Sequence, residues 1–287
     1  MINLNGTIVE QEQAHLSINN RGLNYGDAVF ETLKVSEGRI LFWEDHYFRL
    51  MASMRILRME IPMNFTMEYL EKEIQRTLEA NTMSHGNARV KLLVSRVEGG
   101  LYVPNSNAIE FMMLVNALSN TSYSINEGNY TVDLFKDHFI PPGLLSTLKT
   151  NNRILNVLGS IYAKENDLDN CLLMNTNKSV IEALNGNVFL RIGNSIKTPP
   201  LEDGCIKGVL RKQIIDLINS HPDLELEETS VSPFELQKAD ELFISNVIIG
   251  ICPITNYRKK VYSTSISSEL VELLNSKISY TKGLQEH

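Results

Sequence analysis

The sequence predicts an α/β protein of the α+β type, folded as two lobes. Three observations predict it. Short runs with strand periodicity and longer runs with helical periodicity follow one another along the chain. The 287 residues, 43% hydrophobic and 21% charged, suffice for one large domain or for two lobes with a real core. A polar stretch, Ser119-Asn120-Thr121-Ser122-Tyr123-Ser124, lies between two apolar runs and is the best linker. The expected division is an N-terminal lobe over 1–118, a linker over 119–124 and a C-terminal lobe over 125–287.

In the first lobe, Ile2 to Glu10 reads as a hairpin turning at Asn5-Gly6. Gly22 and Gly26 mark sharp turns ahead of a strand from Val29 to Val35. Glu37-Gly38 is a turn before a strand from Arg39 to Trp43. A helix then starts near Glu44-Asp45, with Tyr47, Leu50, Met51 and Met54 at helical spacing. A second amphipathic helix, Met67 to Ala80, aligns Leu70, Ile74 and Leu78. Ala88 to Arg96 alternates Val90, Leu92 and Val94 as a strand does, and runs into Val97 to Pro104, a loop expected to overhang a site. Ala108 to Ala117 is apolar enough for a buried strand.

The second lobe opens with a strand from Tyr130 to Phe135. Ile154, Val157, Leu158, Ile161 and Tyr162 recur at helical spacing, so Lys149 lies just before a helix with Asn151 or Asn152 as its cap. Cys171 to Asn175 and Val180 to Leu184 pair around Thr176-Asn177-Lys178, and Asn187 to Ile192 pairs with Ser195 to Thr198 around Gly193-Asn194. Gly208 opens a helix whose Leu210, Ile214, Leu217 and Ile218 share an apolar face. Glu225, Glu227 and Glu228 read as a solvated acidic face. A helical turn near Pro233 to Lys238, a strand from Glu241 to Ser245, and a helix from Ser267 with a frayed end complete the chain.

Composition narrows the function classes. A net charge of -7 leaves no basic surplus for a nucleic-acid partner. Cys171, Cys205 and Cys252 lack the paired spacing of zinc or redox sites and read as small buried hydrophobes. With no signal-peptide pattern at the start and no apolar run of bilayer length, the expectation is a cytoplasmic protein without a membrane partner.

The most informative stretch runs from Glu182 to Arg211. An acid precedes the short run Asn187-Val188-Phe189, a hairpin follows, and Gly208 opens a helix at Val209-Leu210-Arg211. The unpaired amides and dipole of a helix start favour a phosphate, and a glycine lets backbone approach it. Alone this is weak, because most helix starts bind only water. Taken whole, with Glu182, Asn187, Val188, Phe189, Ile196, Thr198, Ile206, Gly208, Val209 and Arg211 in their expected places, the stretch resembles the signature of the class IV aminotransferases, the pyridoxal phosphate enzymes of fold type IV. Leu184 departs from it, standing where a small residue is usual. The resemblance extends from about Asn5 to Ile254 and takes in Arg21-Gly22-x-x-Tyr25-Gly26-Asp27-x-x-Phe30-Glu31, His46-x-x-Arg49-Leu50 and Lys149-x-x-Asn152-Arg153.

What the resemblance implies is specific. The fold is the two-lobed, D-amino acid aminotransferase-like architecture, assembled as a homodimer that acts on a small amino substrate. The cofactor is pyridoxal 5'-phosphate. Lys149 is its Schiff-base lysine and the proton-transfer base, and Glu182 faces the pyridine nitrogen. Arg49 and the amides of Val209 and Leu210 hold the phosphate, joined by the amide of Val247, where many relatives carry threonine. Tyr25, Thr32, Arg96, Tyr102, Arg153, Asn246 and Ile248 are the implied substrate-pocket residues. From the residues alone, Arg49 is a solvated helix charge and Lys149 a surface lysine; only the resemblance gives them chemistry. Within the family, the Lys149 run, the Phe30-Glu31-Thr32 triplet and the Ser95-Arg96 to Gly99-Gly100 loop with Tyr102 are most similar to 4-amino-4-deoxychorismate lyases of folate biosynthesis. Some of those lyases place an arginine where Leu101 stands here. Either Arg21, Arg96 or Arg153 replaces it, or the substrate is aliphatic, as for the branched-chain and D-amino acid transaminases that use 2-oxoglutarate.

Overall fold

The computed structural model describes residues 1–126 and 128–285, with 281–285 described by backbone alone. It falls into two compact units, Met1–Thr121 with Lys149–Asn152, and Ser122–Leu148 with the chain from Arg153 onward.

In the first unit, strands β1 (Ile2–Leu4), β2 (Thr7–Val9), β3 (Ala28–Ser36), β4 (Arg39–Ile40), β5 (Ala88–Arg96) and β6 (Ile109–Ala117) form one sheet in the order β2-β1-β6-β5-β3-β4. Helices α1 (Arg21–Tyr25), α2 (Trp43–Ile56) and α3 (Met67–Ala80) complete it. Period-two alternation assigns the two sheet faces. Val29, Leu33, Val35, Val90, Leu92 and Val94 share a core with Leu50, Met51 and Met54 of α2 and Leu70, Ile74 and Leu78 of α3. The three α3 side chains are fully buried, and each contributes about 2 kcal/mol. The opposite face carries Phe30, Thr32 and Lys34, with Lys91 and Arg89 paired directly across from Thr32 and Lys34.

Three local expectations change. Trp43 is the first residue of α2 rather than the end of a strand, because Phe42 sits at φ 54° and turns the chain. Gly22 lies inside α1, where its missing Cβ permits close packing on Ala28 and Ser95; only Gly26, at φ 63°, is the left-handed turn. β6 is only half buried, so its apolar run does not mark a core-centre strand.

The second unit holds β7 (Thr131–Leu134), α4 (Ile154–Glu165), β8 (Asn170–Met174), β9 (Val180–Ala183), β10 (Gly186–Ile192), β11 (Ser195–Thr198), α5 (Val209–Asn219), β12 (Glu225–Glu228), α6 (Glu235–Lys238), β13 (Glu241–Asn246), β14 (Gly250–Ile254), β15 (Asn256–Tyr257), β16 (Lys260–Val261) and α7 (Ser265–Gln285). The main strand path is β12-β11-β10-β9-β8-β7-β15-β16, and β13 pairs with both β10 and β14. The acidic Glu225–Glu228 stretch is an edge strand rather than a bare solvated face, with Glu227 on Lys197 and Glu228 on Arg211. Neither Asn151 nor Asn152 caps α4. Arg153 stands at its N-cap but its side chain makes no capping bond to the helix, and Asn152 donates to the Gly26 carbonyl instead. The frayed end expected after α7 falls on 286 and 287, outside the described residues. Among the described residues no helix is long and apolar enough to cross a membrane. Cys171, Cys205 and Cys252 are buried and unpaired, and burial pushes each thiol upward.

Candidate active site

Lys149 packs with the first unit although chain order places it near α4. Its carbonyl accepts from Phe30 N at 2.9 Å, and Asn151 N donates to the Ala28 carbonyl at 2.9 Å, so 149–151 run beside the start of β3. The Lys149 ammonium lies 4.3 Å from the centre of the Phe30 ring. Lys91 reaches the same ring from β5 at 5.1 Å. Two residues further along the strand, Thr32 is half-buried and faces the same way.

The other side of β3 carries Glu31. It is 1% exposed and accepts from Arg49 Nε at 2.8 Å, from Arg49 Nη2, and from His46 Nδ1 at 2.7 Å. Burial alone would raise this carboxyl; the Arg49 guanidinium and His46 outweigh it and hold Glu31 at about 2. Burial likewise pushes His46 down, against the pull of Glu31, so the neutral ring donates its Nδ1 proton to the carboxylate. Glu31 therefore fixes the plane and position of the Arg49 fork, which sequence reading did not foresee.

Two arginines beside the 97–104 loop are committed to the fold. Asp27 Oδ2 accepts from Arg21 Nε at 2.8 Å and Arg96 Nε at 2.9 Å. Arg21 also donates to the carbonyls of Gly99 and Leu101, and Arg96 to those of Leu57 and Arg58 and to Asn107. Tyr25 and Tyr102 come together with ring centres 5.8 Å apart, Arg21 lying over Tyr25. Leu101, Tyr102 and Val103 form an exposed apolar loop tip.

In the second unit the signature residues prove to be one hydrogen-bonded turn. Buried Glu182, on β9, accepts from Ile206 N at 2.9 Å, while Asn187, opposite it on β10, donates to Ile206 O at 2.8 Å. The peptides flanking Ile206 are thus fixed just before α5. Thr198 bonds the Val188 carbonyl, and Phe189 stacks on Phe243 at 5.1 Å. α5 begins at Gly208 with no side-chain cap, and a Cβ there would overlap the Asn187 amide. The unexpected Leu184 is matched by Gly159 of α4, whose missing Cβ leaves room for it. Arg153 donates to the Leu148 carbonyl at 2.7 Å. Asn246 closes the β13–β14 turn by accepting from the amides of Ile248 and Ile249, and Val247 is buried within that turn.

The model of the family described as amino-transferase class IV matches residues 28–257. The chain belongs to this family. It is 26% identical over 276 residues to a putative branched-chain-amino-acid aminotransferase of Methanocaldococcus jannaschii, covering 96% of this chain and 94% of that one. It is 28% identical over 269 residues to an aminodeoxychorismate lyase of Bacillus subtilis, covering 92% and 89%. A solved branched-chain aminotransferase of Thermoproteus uzoniensis shares the fold at a TM-score of 0.85, with 21% identity and coverage of 95% and 92%. Class IV aminotransferases use pyridoxal phosphate, and this chain is a pyridoxal-phosphate-dependent enzyme, either aminotransferase or lyase.

The residues present fit that cofactor. An uncapped helix start with room only for glycine suits a phosphate, as does an arginine held by a buried carboxylate. A buried carboxylate oriented by the Ile206 amide, Glu182, suits a protonated ring nitrogen. Sequence reading passed over Lys91 and Arg89. Their signal was present: charged residues alternating with Val90, Leu92 and Val94 must share the face away from the core.

Proposed function

We propose that this enzyme is a 4-amino-4-deoxychorismate lyase, which releases pyruvate and leaves 4-aminobenzoate for folate synthesis. The observation that carries this reading is the cationic face of the first sheet. Lys34, Arg89 and Lys91 surround Thr32 beside the Phe30 ring and the Lys149 ammonium, in a protein of net charge -7. Such a face suits a flat ring bearing two carboxylates better than an aliphatic side chain. It also supplies the cation for which Leu101 leaves no arginine, while Arg21 and Arg96 act indirectly by holding Asp27 and the loop.

When bound, pyridoxal phosphate supplies an electron sink for a carbanion beside an imine. The reaction removes the proton from the amine-bearing ring carbon and breaks the carbon–oxygen bond to the enolpyruvyl group, so the ring becomes aromatic and the departing fragment takes up a proton. Lys149 binds the cofactor aldehyde and carries that proton. Arg49, Val209, Leu210 and Val247 hold the phosphate, and Glu182 keeps the ring nitrogen protonated. Tyr25, Thr32, Tyr102, Arg153, Asn246 and Ile248 shape the substrate site.

A second reading has its own observation. Leu101, Tyr102 and Val103 are 77%, 90% and 81% exposed, an apolar tip suited to the side chain of a branched-chain or D-amino acid in transamination with 2-oxoglutarate. Supplying purified enzyme with aminodeoxychorismate, and separately with amino acids plus 2-oxoglutarate, decides between them. The expected product is 4-aminobenzoate, and Lys91→Met is expected to raise KM about 10- to 100-fold through loss of one charged contact. Transamination without 4-aminobenzoate would reject the lyase.

The working form is a cytoplasmic homodimer. Leu144, Leu145 and, on α4, Ile154, Val157 and Ile161 are exposed, an apolar surface of the kind a subunit interface covers. Sedimentation is expected to give twice the 32.5 kDa chain mass, and Val157→Glu to shift it toward the monomer. A wild-type monomer at micromolar concentration would refute this.

A further inference from the structure

Tyr123 lies in the stretch read as a polar linker, yet it is 4% exposed. Its backbone is clamped by one side chain of α7: Asn275 Oδ1 accepts from Tyr123 N at 3.0 Å, and Asn275 Nδ2 donates to Tyr123 O at 2.8 Å. The ring packs against Gly250, the first residue of β14, so closely that any Cβ there would collide with it. Gly250 also holds φ 78°, so the position is doubly reserved for glycine. The phenol donates to the Val247 carbonyl at 2.6 Å. Burial raises its pKa, so it stays a donor across the working pH range.

These contacts fix one peptide from both ends. The Val247 carbonyl is held by Tyr123, and the Ile248 amide of the same peptide by Asn246 Oδ1 at 3.0 Å. Asn246 is itself anchored by its Nδ2 on the Asn185 carbonyl at 2.8 Å. The preceding peptide, which bears the Val247 N–H, joins this one through a single Cα, so only φ and ψ of the buried Val247 separate the two. Residue 247 is a valine, so the donor this position offers a ligand is its backbone amide. The accuracy of its aim then matters more.

We propose that Tyr123 is a positioning residue for the cofactor phosphate, acting through the Val247 peptide. This rests on the reading that the enzyme binds pyridoxal phosphate with the Val247 amide on its phosphate. The phosphate is what separates the role from simple packing. A structural loss would weaken every ligand of the cofactor site alike, whereas a misaimed amide weakens only those that carry the phosphate.

The test is Tyr123→Phe in the full-length enzyme, titrated with pyridoxal phosphate and with pyridoxal, and compared with Asn275→Ala, which removes the backbone clamp and leaves the phenol. Tyr123→Phe keeps the ring on Gly250. It is expected to raise the dissociation constant for pyridoxal phosphate about tenfold, the value of one hydrogen bond, and to shift the ³¹P resonance of the bound phosphate, with pyridoxal affinity unchanged. Asn275→Ala is expected to leave the ³¹P resonance in place. Equal weakening of both ligands, or no change in either, overturns the proposal. Wild-type enzyme that fails to bind pyridoxal phosphate overturns it together with the functional reading beneath it. If Tyr123→Phe does not fold, fluorination of the Tyr123 ring at carbon 3 keeps the bond and gives a ¹⁹F signal. That signal is expected to move with pyridoxal phosphate and not with pyridoxal; the opposite pattern overturns the proposal.

Discussion

Lys149→Ala is expected to fold and to lose turnover on the order of 10⁴-fold, the upper range for removing a positioned proton carrier. The fold survives because Lys149 is held by its backbone: its carbonyl takes the Phe30 amide, and the Val29–Thr150 bridge is unaffected by the side chain. What disappears is an amine 4.3 Å from the Phe30 ring centre, together with the covalent anchor it offers an aldehyde. Borohydride should bleach the visible band of the loaded wild-type protein and leave the pyridoxyl group permanently bonded to it, and should leave none bonded to the variant. Added methylamine, small enough to enter the space left by the side chain, should restore part of the rate. The nearby Lys91 is not expected to substitute, because its stem rises from β5 and its ammonium lies 5.1 Å from the ring centre. A variant with unchanged borohydride labelling would move the covalent chemistry to another amine and sink the assignment.

Much of the fold was legible because local pattern and tertiary demand agree where a face is buried. Met67–Ala80 and Ala88–Arg96 are bounded as read, since α3 has a Thr66 cap and a clean apolar stripe, and β5 alternates against a core. Legibility failed where long-range contacts overrode local preference. Asn152 has the chemistry of a cap but spends its amide on Gly26, a residue far away in sequence. Trp43 looks like strand until Phe42 adopts a left-handed backbone that no local rule requires of phenylalanine. Tyr123 sits among polar residues, so nothing in its neighbours announces that it is buried. The Glu182 turn was visible as a motif, but not its cause: the peptides flanking Ile206 are bonded by an acid on one strand and an amide on the next. Glu31 illustrates the remaining gap. Its alternation assigns it to the core face of β3, where a lone carboxylate would be prohibitive; only the meeting with α2 explains it.

That meeting sets the second large effect, on Glu31→Gln. The carboxylate is the common acceptor for Arg49 and His46, both largely removed from water. Taking away one member of a buried pair leaves the other charge uncompensated, and about 3 kcal/mol of stability is expected to go with it. The pH dependence gives an independent check of sign. Folding lowers the Glu31 pKa from its ordinary 4.5 to about 2, so its contribution is fully present above pH 4.5 and is lost as the pH falls toward 2. Urea unfolding of wild-type protein should accordingly show stability falling across that window, and the Gln variant, with nothing to titrate at this position, should show a shallower fall. His46 adds a fall of the same sign that begins at higher pH, because burial pushes its pKa down from 6.5 and the unfolded chain takes up that proton first; the imidazole is present in both proteins, so the Glu31 contribution is read from their difference. The functional consequence follows from geometry. An arginine gripped through Nε and Nη2 by one carboxylate presents its remaining edge in a fixed direction, and a neutral amide can accept only part of that grip. Glu31→Gln is therefore expected to weaken pyridoxal phosphate binding as well as stability. Equal stability of the two proteins at pH 7 would show that Arg49 and His46 do not depend on this carboxylate.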